Sequence, residues 1–151
     1  MTKENVKKPG RVAVVTASAR HTHLGFVRVG TAVPLLKVGD PEYNAAETIS
    51  VMQKAQKEGV KVLVFPELGM TGYTCADLFQ QKSLQEATLT ALDKVVQASK
   101  SFSGILFVGA PISIDNKLFN CAVAISGGTI LGIVPKTFLP CLLYTSPSPR
   151  D

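Results

Sequence analysis

Two segments with helical periodicity alternate with short, continuous apolar runs along most of this chain. The first helical segment starts at Asp40-Pro41-Glu42, a favoured N-cap followed by a favoured first helical residue, and is expected to end near Lys57, before Gly59. The apolar run Val60–Pro66 comes next. Because strands buried on both faces read as continuous apolar runs, Val60–Pro66 is predicted to be a central strand of a sheet covered by helices.

The second helical segment is predicted to open at Ser83, because Ser83 and Glu86 have the spacing of a capping box. Gly104 then precedes another apolar strand, Ile105–Ala110. Along the chain, this helix is therefore followed directly by a further predicted strand.

A glycine-rich turn separates the last two apolar segments. Leu118–Ile125 and Thr129–Val134 flank Ser126-Gly127-Gly128, which predicts a β-hairpin. With Phe26–Val33 as the first strand, the predicted order is β-α-β-α-β-β-β. This order predicts an α/β sandwich with a mixed sheet and a helix layer on one face.

The two ends depart from this pattern. Residues 1–24 are interpreted as an N-terminal extension, in which Arg11–Ala19 leaves open whether a further strand forms. Residues 25–140 hold the predicted domain. Residues 141–151, which contain Pro147 and Pro149, cannot continue a strand or helix and are interpreted as a non-native tail.

The composition of the chain argues against several classes of function. With 46% hydrophobic and 18% charged residues, the 151-residue chain has the profile of one globular domain. No apolar run approaches the roughly 20 residues that span a bilayer, and the net charge of +5 is scattered, so neither a membrane nor a nucleic acid is expected as partner. Three cysteines at unrelated spacings predict no disulfide framework, and neither they nor His21 and His23 predict a metal site. A cytoplasmic location fits best.

Two charged residues follow predicted strand ends, where open α/β sheets place their clefts. Glu67 comes directly after Val60–Pro66, and Lys136 comes directly after the hairpin. Taken singly, each is more often a solvated surface residue. Although 69 residues separate them, both could face one cleft.

The residues around this pair resemble the carbon-nitrogen hydrolase (nitrilase) superfamily, and in particular the glutamine amidase domain of glutamine-dependent NAD synthetases. The resemblance covers about residues 24–140 and is carried by Phe65-Pro66-Glu67, Gly72–Phe79, Pro135-Lys136-Thr137-Phe138-Leu139-Pro140, Gly25–Val29 and Gly39-Asp40-Pro41. It implies the N-terminal half of a nitrilase-like α-β-β-α sandwich. That family hydrolyses amides with a Glu-Lys-Cys triad.

The resemblance also implies roles for individual residues. Glu67 would be the general base, Lys136 would stabilise the oxyanion, and Tyr73 would line the substrate pocket. The nucleophilic cysteine is expected well beyond the lysine motif, whereas the chain ends fifteen residues after Lys136. None of Cys75, Cys121 and Cys141 fits that role, so the chain itself is expected to be inactive.

The partners implied by the resemblance are glutamine as substrate and a homo-oligomeric parent enzyme. No cofactor is expected for the amidase half-domain, whereas ATP and Mg²⁺ are expected for a synthetase domain of the parent. Two alternatives stay open: a stand-alone nitrilase-superfamily amidase, and a non-catalytic α/β binding module. A nucleotide-binding module is disfavoured because the sequence has no Gly-rich loop between a strand and a helix to hold phosphates.

Overall fold

The computed structural model describes residues 12–13 and 25–138. Within these residues, six strands form one sheet in sequential order: β1 (Val12–Ala13), β2 (Val29–Ala32), β3 (Val62–Val64), β4 (Ile105–Ile114), β5 (Lys117–Ser126) and β6 (Thr129–Pro135). Strands β2, β3 and β4 are parallel, and the other neighbours pair antiparallel. The predicted mixed sheet is therefore present.

Helix α1 spans Pro41–Lys57, as its sequence signals predict. The side chain of Asp40 accepts a hydrogen bond from the backbone N–H of Tyr43 at 3.0 Å, which satisfies one donor of the first turn. Past the helix end, Gly59 adopts φ +71°, a left-handed conformation that glycine adopts without steric cost.

Helix α2 spans Lys82–Ala98, and here the predicted capping box is wrong. The N-cap is Gln81, whose side chain makes no capping hydrogen bond, so Ser83 lies inside the first turn. A 3-10 turn at Ala76–Gln80 leads directly into the helix and starts it earlier. The side chain of Gln85 instead donates to the carbonyl of Phe79 at 2.8 Å and ties the two elements together.

Both helices pack on one face of the sheet. Their buried residues, such as Met52 and Val95, form one core with strand residues that include Leu63 and Leu106. We call this side the helix-covered face. On the opposite side, the open face, Val64 of β3 keeps 40% of its surface exposed. The helix layer on one face agrees with the sequence prediction.

The strand β1 was not assigned from the sequence, which favoured residues 26–33 for the first position in the sheet. Val12–Ala13 takes that position and pairs antiparallel with Ala32 and Thr31. Two residues are too short to show an alternating pattern. The rest of the predicted extension, residues 1–24, and the predicted tail, 141–151, lie outside the described residues, so those domain boundaries stay predictions.

Strand β6 carries one residue more than its partner. Ala124 pairs with Gly132, whereas the next residue of β5, Ile125, pairs with Ile130, so Leu131 has no partner in the ladder. Such a bulge shifts the alternation of side chains by one residue. From Gly132 onward, the side chains of β6 therefore lie on the opposite face from the one that strict alternation would give.

Candidate active site

The structure brings Glu67 and Lys136 together at the open face. The ammonium of Lys136 lies 2.9 Å from Oε1 and 3.1 Å from Oε2 of Glu67, and each side chain is about one-third exposed. Glu67 follows the end of β3, and Lys136 follows the end of β6. The pair is therefore held by two distant segments, yet it stays accessible to a small molecule.

Asn120 is the third polar member of this group, and sequence reasoning missed it. Its side-chain amide donates a hydrogen bond to Oε1 of Glu67, and its backbone carbonyl accepts from the N–H of Lys136 at 2.8 Å. Asn120 thus contacts both charged residues. The available signal was a single amide side chain inside the otherwise mostly apolar run Leu118–Ile125.

A cleft of about 330 Å³ opens beside the three polar side chains. Besides Glu67, Asn120 and Lys136, it is lined by Val64, Phe65, Phe107, Val108, Gly109, Cys121, Ala122, Val134 and Pro135. Apolar walls with a few convergent polar groups are typical of small-molecule sites.

The turn that carries Glu67 is tightly constrained. Leu68 adopts φ +53°, which is uncommon for a residue with a side chain. The turn lies directly on β4, where the carbonyl of Gly109 accepts from the N–H of Met70 at 3.0 Å. A Cβ at Gly109 would lie only 2.5 Å from the backbone nitrogen of Leu68. Glycine at this position therefore allows the turn to approach the sheet.

The buried amide of Asn44 secures the same turn from the helix side. Its Nδ2 donates to the carbonyl of Met70 at 3.2 Å and to that of Lys37 at 2.8 Å, and its Oδ1 accepts from the N–H of Lys37. The N–H of Gly39 also donates to the carbonyl of Thr71 at 2.8 Å. Helix α1 thereby fixes the segment that follows Glu67.

Neither of the two described cysteines presents a thiol to the pair. Cys75 is 2% exposed, and its Sγ donates to the carbonyl of Thr71 at 3.1 Å. Cys121 is 4% exposed and pairs with Ala110, so its side chain lies on the helix-covered face although the residue forms part of the cleft wall. Burial raises the pKa of the Cys121 thiol, which disfavours the nucleophilic thiolate. Cys141 lies outside the described residues.

Tyr73 is 41% exposed and is not among the residues that line this cleft. Its predicted role in substrate binding stays a prediction, as do the catalytic roles of Glu67 and Lys136. Within residues 12–13 and 25–138, no group of three or more His, Cys, Asp or Glu side chains could hold a metal ion. In the same part of the chain, no helix is both long and apolar enough to cross a membrane.

Comparison with known proteins gives a consistent family match. The carbon-nitrogen hydrolase family matches residues 11–150. A glutamine-dependent NAD(+) synthetase of Mycobacterium leprae is 38% identical over 116 residues, which are 77% of this chain and 17% of that protein. The corresponding protein of Aquifex aeolicus is 31% identical over 103 residues, which are 68% of this chain and 18% of the relative. The chain thus spans under a fifth of the length of these relatives.

Solved structures resemble the fold. The crystal structure of a glutamine-dependent NAD(+) synthetase from Cytophaga hutchinsonii superposes with a TM-score of 0.71 at 26% identity, covering 76% of this chain and 20% of that one. A nitrilase-superfamily amidase from Nesterenkonia superposes with a TM-score of 0.68 at 20% identity, covering 76% and 44% of the two chains. The second likeness shows the fold alone.

Proposed function

Because this chain belongs to the carbon-nitrogen hydrolase family, we propose that it forms the part of a glutamine amidase site that supplies the general base and the oxyanion-binding cation. The observation that carries the proposal is the contact of Lys136 with both carboxylate oxygens of Glu67, at 2.9 and 3.1 Å, inside an apolar cleft. Glutamine is proposed as substrate because the relatives that match most of this chain are named glutamine-dependent.

In the proposed reaction, Glu67 takes the proton of a cysteine thiol as the sulfur attacks the side-chain amide carbon of glutamine. The proton passes to the departing nitrogen, so that ammonia leaves and a thioester forms. Glu67 then takes a proton from water, whose oxygen attacks the thioester, and returns the proton to the sulfur as glutamate is released. Lys136 stabilises the negative oxygen that develops in both steps.

The nucleophile is proposed to be a cysteine other than Cys75 and Cys121. Cys75 is buried against the backbone carbonyls of Thr71 and Gly72, and Cys121 lies on the helix-covered face. A thiol has to reach both the substrate carbon and the carboxylate of Glu67 on the open face. Without it, the base and the cation act on water alone, and in a serine protease the loss of the nucleophile costs on the order of a millionfold in turnover.

For the parent enzyme, we propose that the ammonia is consumed by an ATP- and Mg²⁺-dependent synthetase domain. Support comes from the names of the relatives and from the short share of their length that this chain spans. A homo-oligomeric parent and a cytoplasmic location belong to the same proposal.

The first test is an ammonia-release assay with glutamine and two protein samples. The chain alone is expected to release no ammonia, and Cys75→Ala and Cys121→Ala are expected to change nothing. The second sample is a chimera in which residues 25–138 replace the matching segment of the Mycobacterium leprae relative. The chimera is expected to hydrolyse glutamine, and NAD formation from added ammonia reports whether its other domain is intact.

In the chimera, Glu67→Gln is expected to lower kcat by roughly 10²–10⁴-fold and Lys136→Met by roughly 10²–10³-fold. The matched controls are Glu42→Gln and Lys94→Met, which remove an exposed ion pair of 2.5 Å on the helices and should leave kcat unchanged. Full activity of the Glu67→Gln chimera would reject the proposal. Hydrolysis of simple aliphatic amides in place of glutamine would favour a stand-alone amidase.

A further inference from the structure

We infer that Asn120 is a positioning residue that orients the carboxylate of Glu67 for its work as a base; the inference rests on the proposed function. Two hydrogen bonds from one residue support it. The side-chain amide of Asn120 binds Oε1 of Glu67, and its backbone carbonyl binds the N–H of Lys136. Asn120 therefore sets the position of both charged residues relative to β5.

The two oxygens of Glu67 are not equivalent in this arrangement. Oε1 accepts from both Asn120 and Lys136, whereas among the described residues Oε2 accepts only from Lys136, at 3.1 Å. An oxygen with fewer donors has lone pairs left to accept a further proton. This assigns Oε2 as the atom that takes the proton and Oε1 as the atom that anchors the carboxylate.

A neutral amide suits this position better than a second cation. It fixes the rotation of the carboxylate through one hydrogen bond without adding a second positive charge beside Glu67. A carboxylate at this position would instead place a like charge against Glu67.

The surroundings of Asn120 argue for a specific role. Its open-face neighbour along β5 is Ala122, and the cross-strand partner of Ala122 is Val134. Asparagine is depleted in strands, and an apolar side chain of similar size would suit these neighbours. The amide is thus accounted for by its contact with Glu67 rather than by packing.

The test is zero-length carbodiimide crosslinking of the full chain. The reagent activates a carboxylate, the amine of a contacting lysine displaces the activated group, and an amide forms with loss of water to the reagent. Tryptic digestion and mass spectrometry then measure the Glu67–Lys136 crosslink. The Glu42–Lys94 pair, at 2.5 Å on the opposite side of the sheet, serves as internal reference in the same molecule.

In Asn120→Leu, the Glu67–Lys136 yield relative to the reference is expected to fall about tenfold, the factor at the lower limit for losing one hydrogen bond to a charged group. Asn120→Gln keeps the amide and should restore at least half of the original yield. Asn120→Ala is measured in the same way, so that the result does not depend on how well leucine is accommodated.

An unchanged relative yield in both Asn120→Leu and Asn120→Ala would overturn the inference. So would an equal fall at both ion pairs, because that would assign Asn120 to overall stability. Crosslinking needs no turnover, which separates the two proposals. An inactive chimera with an Asn120-dependent crosslink would reject the proposed function alone, whereas an active chimera with an Asn120-independent crosslink would reject the positioning role alone.

Discussion

The two faces of the sheet are built from the same strands but have different surroundings. In β3, Leu63 on the helix-covered face is fully buried, whereas its neighbour Val64 on the open face keeps 40% of its surface exposed. In β5, Cys121 lies in the core, whereas its neighbour Asn120 binds Glu67. One face holds the fold together, and the other places charged and polar groups beside a cleft.

Within one strand, stability and the Glu67–Lys136 contact should therefore depend on different residues. A substitution on the helix-covered face removes apolar burial and should affect unfolding. A substitution on the open face should affect the Glu67–Lys136 contact while leaving most of the burial intact. Neighbouring residues of one strand therefore provide matched pairs for testing the comparison.

The largest effect is expected for Leu63→Ala. Its side chain is fully buried in the core, and such truncations cost about 3 kcal/mol in the free energy of unfolding. Val64→Ala, the control one residue away on the open face, should cost less than about 1 kcal/mol. Chemical denaturation of the full chain measures both. Equal losses would mean that the open face contributes as much burial as the helix-covered face.

A smaller effect is expected for Gly109→Ala, where the new Cβ would meet the backbone of Pro66 and Leu68 at 2.5 Å. The turn that carries Glu67 has to move away from β4, at a cost of about 2 kcal/mol, and the Glu67–Lys136 crosslink should decline. Gly132→Ala is the control, because a Cβ there meets nothing within 4 Å. A crosslink that survives in Gly109→Ala would show that the turn does not need this close approach.

The smallest effect concerns pH and Cys121. Burial raises the pKa of its thiol, so the folded chain keeps the proton at a pH where the unfolded chain has lost it. The resulting stability is complete below the ordinary thiol pKa and is lost as pH rises toward the raised value. From about pH 8 upward, the free energy of unfolding should fall more steeply with pH in the native chain than in Cys121→Val. Parallel pH profiles of the two proteins would contradict this expectation.

Helix α1 and the hairpin could be predicted because their signals are local. Asp40 and Pro41 mark the start of the helix. Gly127 and Gly128, which adopt φ +57° and +83°, form the turn of the hairpin. The same kind of signal was wrong at Ser83, where the preceding 3-10 turn determined the start of α2. A local motif therefore predicts a boundary only when the adjoining segment does not compete with it.

The candidate site was only partly predictable for a different reason. Glu67 and Lys136 follow strand ends, and that position is visible in the sequence. Asn120 lies inside a strand, and its importance depends on the register between β4 and β5, which pairs it with Pro111. Register is a property of two strands, so a pattern along one strand cannot reveal which residue meets Glu67.

The bulge at Leu131 has a consequence for how the length of this hairpin can vary in evolution. Leu131 is a spare residue between the turn and Lys136, so its deletion would leave a continuous ladder with Gly132 through Lys136 on their present faces. A one-residue insertion or deletion between Gly132 and Lys136 would shift the alternation of side chains. It would place the ammonium of Lys136 on the opposite face of the sheet. One-residue length changes that preserve the cleft are therefore confined to the part of β6 that lies before Gly132.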